Sequence, residues 1–268
     1  MKNVEIVTNA IDTAKSFLEE KAESIDVEAT LRGACKVPGV KINREKYLRK
    51  ELQHLFSTEV VDAAIRGNPA QAGIAKATID EIAKKSIQYE TTKVSAVSFV
   101  AGLPGGTAMY ATVPADVVQY FAFILRIMQK LAFLYGFGEF SLSEDCIDDG
   151  TMNKLLIFLG VMFGVQEANT AIKILADTVS KKAVKTLAQK ALTKGTIYHL
   201  VKKIATAIGA KMTKQIFADS VGKIIPIIGG VITCGLTYSS FKPCSYRLKE
   251  TLSNLPISDP DYYREQAL

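Results

Sequence analysis

Few side chains in this 268-residue chain could do chemistry, and their types narrow the choice sharply. The two histidines, His54 and His199, stand far apart, which excludes a multi-histidine metal centre and leaves imidazole acid–base work two candidates. His54 follows Glu51 by three residues in ELQHL, a spacing that suits a pair on a helix surface better than a base with its orienting acid. The cysteines Cys35, Cys146, Cys234 and Cys244 contain no C-x-x-C, and MKNVEIVTNAIDTAK holds no uninterrupted apolar leader. Reduced thiols in a cytoplasmic protein are therefore expected, without a disulfide framework or zinc ribbon. Asp116 is the lone ionisable group between Lys93 and Arg126 and hence the best single catalytic candidate. Two residues after Pro114, it also suits a helix-opening charge, which is the more economical reading.

Known catalytic patterns are missing. Gly102, Pro104, Gly105 and Gly106 in AGLPGGT superficially resemble a phosphate loop, but the phosphate-reaching lysine is absent and Pro104 removes an amide donor. There is no G-x-S-x-G, and Ser220 to Lys223 fits S-x-x-K without its companion motifs. Asp145, Asp148 and Asp149 do not follow the D-x-D-x-D-G order of a calcium loop, so Glu144 and Asp145 are read as a helix N-terminus. No metal and no cofactor are expected.

The elements that would hold these residues read as helices. Val4, Val7, Ile11, Ala14, Leu18, Ala22 and Ile25 recur at steps of three or four. A turn is predicted at Pro38 and Gly39, Asn43 is placed to cap the next helix, and Leu48, Leu52 and Leu55 continue it towards Phe56. A further helix is predicted from about Pro69 to Tyr89, with Ile74, Ile79, Ile82 and Ile87 near one face. At about 100° per residue, Asp116, Gln119, Arg126, Gln129 and Lys130 share one face of the helix after Pro114. Such a face is ordinarily solvated; the alternative is an internal polar cleft. Leu155 to Val165 is too short to span a bilayer and reads as a wholly buried helix, with Gly160 and Gly164 admitting a close neighbour.

Two stretches, 94–115 and 224–241, carry no charge at all. AGLPGG and Pro114 interrupt the first; Pro226, Gly229, Gly230 and Gly235 interrupt the second, so each reads as a kinked apolar hairpin rather than a spanning helix. Between residues 168 and 219 lie ten lysines against Asp177 and Asp219, a local charge of +8 in a chain of net +6. Lys181, Lys182 and Lys185 fall on one arc, and Lys203, Lys211 and Lys214 on another. A solvated lysine face is the plain interpretation. The functional one is a basic surface drawn to anionic lipid, at about 1 kcal/mol per lysine. Nucleic acid is disfavoured as a partner, because the region has no arginine and, besides Tyr198 and Phe217, hardly an aromatic.

Three blocks resemble the EcsC protein family: AGLPGGTAMYATVPADVVQY with QKLAFLYGF; GVMFGV with the lysine-rich helices after it; and KIIPIIGGVITCGLTYSSF. With weaker agreement from INREKYLRKEL onward, the resemblance covers roughly residues 42–252. It implies a helical protein linked by gene context to a transporter and carries over no catalytic set. Gly102, Pro104, Gly105, Gly106, Asp116, Gln119, Gln129, Pro226, Gly229 and Gly230 are its matching motif positions.

The expectation is thus an all-α chain: a single multi-helix domain with kinked apolar hairpins at its core. It divides into an N-terminal helix and linker (1–41), the EcsC-like region (42–252) and a loosely held tail (253–268). Function divides between a non-catalytic protein on the cytoplasmic membrane face, with anionic lipid or a transporter or secretion assembly as partner, an enzyme with a cleft at Asp116, Gln119, Arg126 and Gln129, and a protein-interaction module.

Overall fold

Side-chain caps mark the starts of several helices. The computed structural model describes residues 26–96, 115–142, 147–180, 199, 201–208 and 232–266. Asp26 accepts from the Ala29 amide at 3.0 Å and opens α1 (Val27–Cys35). Asn43 accepts from Lys46 at 2.8 Å and opens α2 (Arg44–Leu52), as its place in the sequence predicts. One member of the acidic patch, Asp148, caps a helix N-terminus. Asp148 accepts from Thr151 at 2.8 Å and opens α6 (Asp149–Met162), while Glu144 and Asp145 lie outside the described residues.

Between these run α3 (Thr58–Arg66), α4 (Lys76–Ala96) and α5 (Ala115–Leu134). After α6 come α7 (Gln166–Ser180), a helical stretch at 201–208, α8 (Ile232–Ser253), a 3-10 turn (Pro256–Ser258) and α9 (Pro260–Glu265). The fold is all-α, with no strand among the described residues.

Helix α5 is the centre of the packing, touched by α1, α2, α4 and α8. Phe121, Ile124, Leu125, Ile127, Met128 and the run Leu131 to Leu134 are wholly enclosed. Ile79, Ile82 and Ile87 form the buried stripe of α4, with Ile74 just ahead of it. That helix starts at Lys76 rather than Pro69, because residues 69–73 turn, and it runs on past Tyr89. Helix α2 stops at Leu52, which leaves Leu55 exposed.

The expected buried helix at Leu155–Val165 is present within α6 but stops at Met162, and both of its glycines meet neighbours. Gly160 is a contact position: a Cβ there would lie 2.6 Å from Ile204 Cγ2 and 2.7 Å from Ala168 Cβ. Gly164 ends the helix at φ +67°, with Val165 N bonded to Gly160 O and Gly164 N to Val161 O. It is also a contact position, as expected: a Cβ there would lie 3.4 Å from the Arg247 guanidinium of α8.

The segment from Pro256 onward is not loose. Ser258 Oγ donates to Leu252 O at 2.7 Å and to Tyr135 O at 3.2 Å, and Ile257 is buried. Asn68 Nδ2 donates to the Tyr263 hydroxyl at 2.8 Å, which donates to Ile257 O. A buried apolar side chain and four hydrogen bonds hold what polar composition alone suggested was a surface strap.

Among the described residues no helix is long and apolar enough to cross a membrane. The stripe at Val4–Ile25 and most of stretches 94–115 and 224–241 lie outside the described residues; 232–241 open α8.

Candidate functional site

A carboxylate on the apolar stripe of a helix must find a cation, since a lone buried charge is prohibitively costly. Glu90 sits there, three residues after Ile87, with none of its side chain exposed. Helix α5 supplies two cations one turn apart. Arg126 grips Glu90 with Nε and Nη2, each at 3.2 Å, and Lys130 Nζ lies 2.7 Å from the same carboxylate. Burial pushes the Glu90 carboxyl up, but the Arg126 and Lys130 contacts outweigh it and hold it below the ordinary range. Lys130 Nζ also lies 5.4 Å from the Tyr47 ring centre and 5.0 Å from that of Tyr89.

The same helix face ties down the turn between α1 and α2. Arg126 Nη1 donates to Gly39 O; Gln129 Nε2 donates to Val40 O at 2.9 Å and Gln129 Oε1 accepts from Ile42 N at 3.0 Å. Gln129 is 1% exposed and Lys130 7%. The expectation of a solvated face is therefore corrected. The periodicity identified the face, but α1, α2 and α4 cover it, and it serves as a polar seam inside the molecule.

A second seam joins α4 to α8 and the C-terminal end of α5. The Asp80 carboxylate accepts from the Tyr135 hydroxyl at 2.6 Å and Ser253 Oγ at 2.9 Å, and pairs with Lys249 Nζ at 2.9 Å. Burial raises the Asp80 carboxyl and these three partners more than reverse it, so it too lies below the ordinary range. Burial, with the adjacent Asp80, pushes the Tyr135 phenol well up, so it is a hydrogen-bond donor at any ordinary pH. Burial likewise pushes the Cys35 thiol to about 11, which keeps it an unreactive thiol at neutral pH.

Arg126, Gln129 and Lys130 are thus brought together, and Gln119 is half-buried on the same helix. Asp116 falls in the first turn of α5, and its side chain lies outside those described. His54, outside helix α2, has only a 3.4 Å contact with Gln53 among the described contacts. Lys203 is exposed within 201–208. Gly102, Pro104, Gly105, Gly106, Pro226, Gly229, Gly230, Lys181, Lys182, Lys185, Lys211 and Lys214 lie outside the described residues. Glu90, Asp80 and Lys249 were missed by sequence reasoning. The available signal was position: Glu90 extends the Ile79–Ile82–Ile87 stripe, and Lys249 adjoins Leu248 and Leu252. Among the described residues no group of three His, Cys, Asp or Glu side chains could hold a metal.

The lowered carboxyls give stability a definite pH dependence. A folded pKa below the unfolded value, about 3.9 for Asp and 4.3 for Glu, stabilises the fold above that value. The contribution is lost as pH falls through the folded pKa. Urea midpoints should therefore stay level from neutrality to about pH 5 and fall below about pH 4. An Asp80→Asn variant should be less stable at neutral pH and lose less on acidification. Equal acid losses in variant and wild type would show that Asp80 is not responsible.

No family model matches the chain, and neither does any curated protein or solved structure.

Proposed function

We propose that this is a non-catalytic helical protein of the EcsC type that sits peripherally on the cytoplasmic face of a membrane and binds anionic lipid through lysines of residues 168–219. The observation that carries this reading is charge segregation: ten lysines against two aspartates in that stretch, while the rest of the chain is net negative. Lys173, Lys202 and Lys203 are exposed on α7 and the 201–208 helix, and α7 also exposes the apolar side chains Ile174 and Val179. An apolar and cationic exterior is what an anionic bilayer surface attracts. The sequence blocks that resemble the EcsC family are in keeping with a place beside a transporter or secretion assembly.

An enzyme working at the α5 face would need its polar groups free for substrate. Instead the Gln129 amide, Arg126 guanidinium and Lys130 ammonium are each bonded within the protein. That arrangement favours a structural role for the face.

Flotation with phosphatidylglycerol-containing vesicles tests the proposal, with phosphatidylcholine vesicles as control. The wild type should float with the anionic vesicles, and a Lys181→Glu/Lys182→Glu/Lys185→Glu/Lys203→Glu variant should lose at least about 100-fold in partitioning, at about 1 kcal/mol per lysine. A wild type that stays at the bottom of the gradient overturns it. Recovery in a detergent-stable protein complex without vesicle binding would favour the interaction module.

A further inference from the structure

The Glu90 cluster does not balance. One buried carboxylate faces two cations, Arg126 and Lys130, so the seam carries one positive charge in excess. Lys130 Nζ lies 5.0 Å from the ring centre of Tyr89, a residue that is 49% exposed. Two more ammonium groups meet the same ring: Lys93 Nζ is 4.8 Å from its centre and Lys50 Nζ 5.9 Å. Both lysines are exposed, and neither makes an ion pair among the described contacts. Three helices, α2, α4 and α5, thus converge three lysines within 6 Å of one tyrosine ring centre.

Mutual repulsion would keep the exposed Lys50 and Lys93 side chains away from the fixed Lys130 unless something repaid their approach. The π-face of Tyr89 repays part of it, since a ring attracts cations at this range. The remaining excess is a local positive potential at the surface, fixed from below because Lys130 is anchored to Glu90.

From this we infer that Lys50 and Lys93 around Tyr89, beside the excess positive charge that Lys130 and Arg126 hold at Glu90, form a binding site for a phosphate group. A phosphate monoester carries more than one negative charge near pH 7 and offers several acceptor oxygens, enough to take one donor from Lys50 and another from Lys93. The Tyr89 hydroxyl adds a polar group at the rim. The site is separate from the lysines of residues 168–219 and stands whether or not they meet a membrane. The phosphate is carried by a lipid headgroup or by a soluble ester; the recognition chemistry is the same.

The full chain, titrated calorimetrically with inorganic phosphate at constant ionic strength, tests the site against a Lys50→Gln/Lys93→Gln variant. Both positions are exposed, so the variant should keep the wild-type melting temperature. Saturable binding by the wild type, weakened about tenfold or more in the variant, is the expected result. Flotation with phosphatidic acid vesicles separates the sources. A matching loss there assigns a lipid headgroup, and phosphate binding with unchanged flotation assigns a soluble ester. No saturable phosphate binding by the wild type, or equal binding by the variant, overturns the site. Phosphate binding by a protein that ignores every anionic vesicle would sink the membrane proposal and leave this site standing. Vesicle binding with no phosphate response would do the reverse.

Discussion

Glu90→Ala should lower stability by about 3–5 kcal/mol, roughly 10 °C in melting temperature for a chain of this size. The substitution leaves Arg126 and Lys130 enclosed between α4 and α5 without their shared carboxylate. Each cation by itself matters less. Lys130→Met leaves a neutral, bidentate Glu90–Arg126 pair and removes the excess charge, so its cost should be well under half that of Glu90→Ala. A combined Glu90→Leu, Arg126→Met, Lys130→Met variant should recover most of the loss, because apolar groups of similar volume pack where the ions stood. Chemical denaturation of these variants checks the order. Equal losses from Glu90→Ala and Lys130→Met would show that the carboxylate is not the shared anchor.

The second large effect is expected at Gly160. A valine there places its Cβ 2.6 Å from Ile204 and 2.7 Å from the Ala168 Cβ. The Ile204 side chain can turn away, whereas a Cβ is fixed to its backbone, so α6 and α7 must separate. Overpacking of this kind costs about 3 kcal/mol, and the gain in helix propensity over glycine returns less than about 1 kcal/mol. Gly160→Val should therefore melt clearly below the wild type, and Ala168→Gly in the same chain should restore part of the loss. Thermal unfolding of the single and double variants reads this directly; an unchanged melting temperature in Gly160→Val would contradict the close packing.

Local chemistry made much of the fold legible in the sequence. Asn43 marked a helix start, Pro38 and Gly39 a turn, and the Leu155–Val165 run a buried helix, because caps, breakers and apolar length act within a few residues. The α5 polar face was also legible as a face. What covers it was not, since periodicity gives the direction of a side chain relative to its own helix and says nothing of the neighbours. Lys130 and Gln129 looked like surface residues for that reason. Their partners are Glu90 on another helix and the carbonyl of Val40, brought near by tertiary packing alone. The anchored tail escaped notice on similar grounds: its fixing points are Leu252 O, Tyr135 O and Asn68, and backbone carbonyls leave no mark in composition.

Arg126, Gln129 and Lys130 of α5 are occupied within the protein, and that directs functional attention to positive charge on its exterior. A membrane surface recognised by lysines is a screened, long-range interaction, so salt is the sharpest probe of it. The partition coefficient of the wild-type chain onto phosphatidylglycerol vesicles, followed as sodium chloride is raised, is the deciding quantity. It should fall steeply with salt and vanish on neutral vesicles. A coefficient indifferent to salt, or equal on neutral and anionic vesicles, would contradict a docking role for the lysines of residues 168–219.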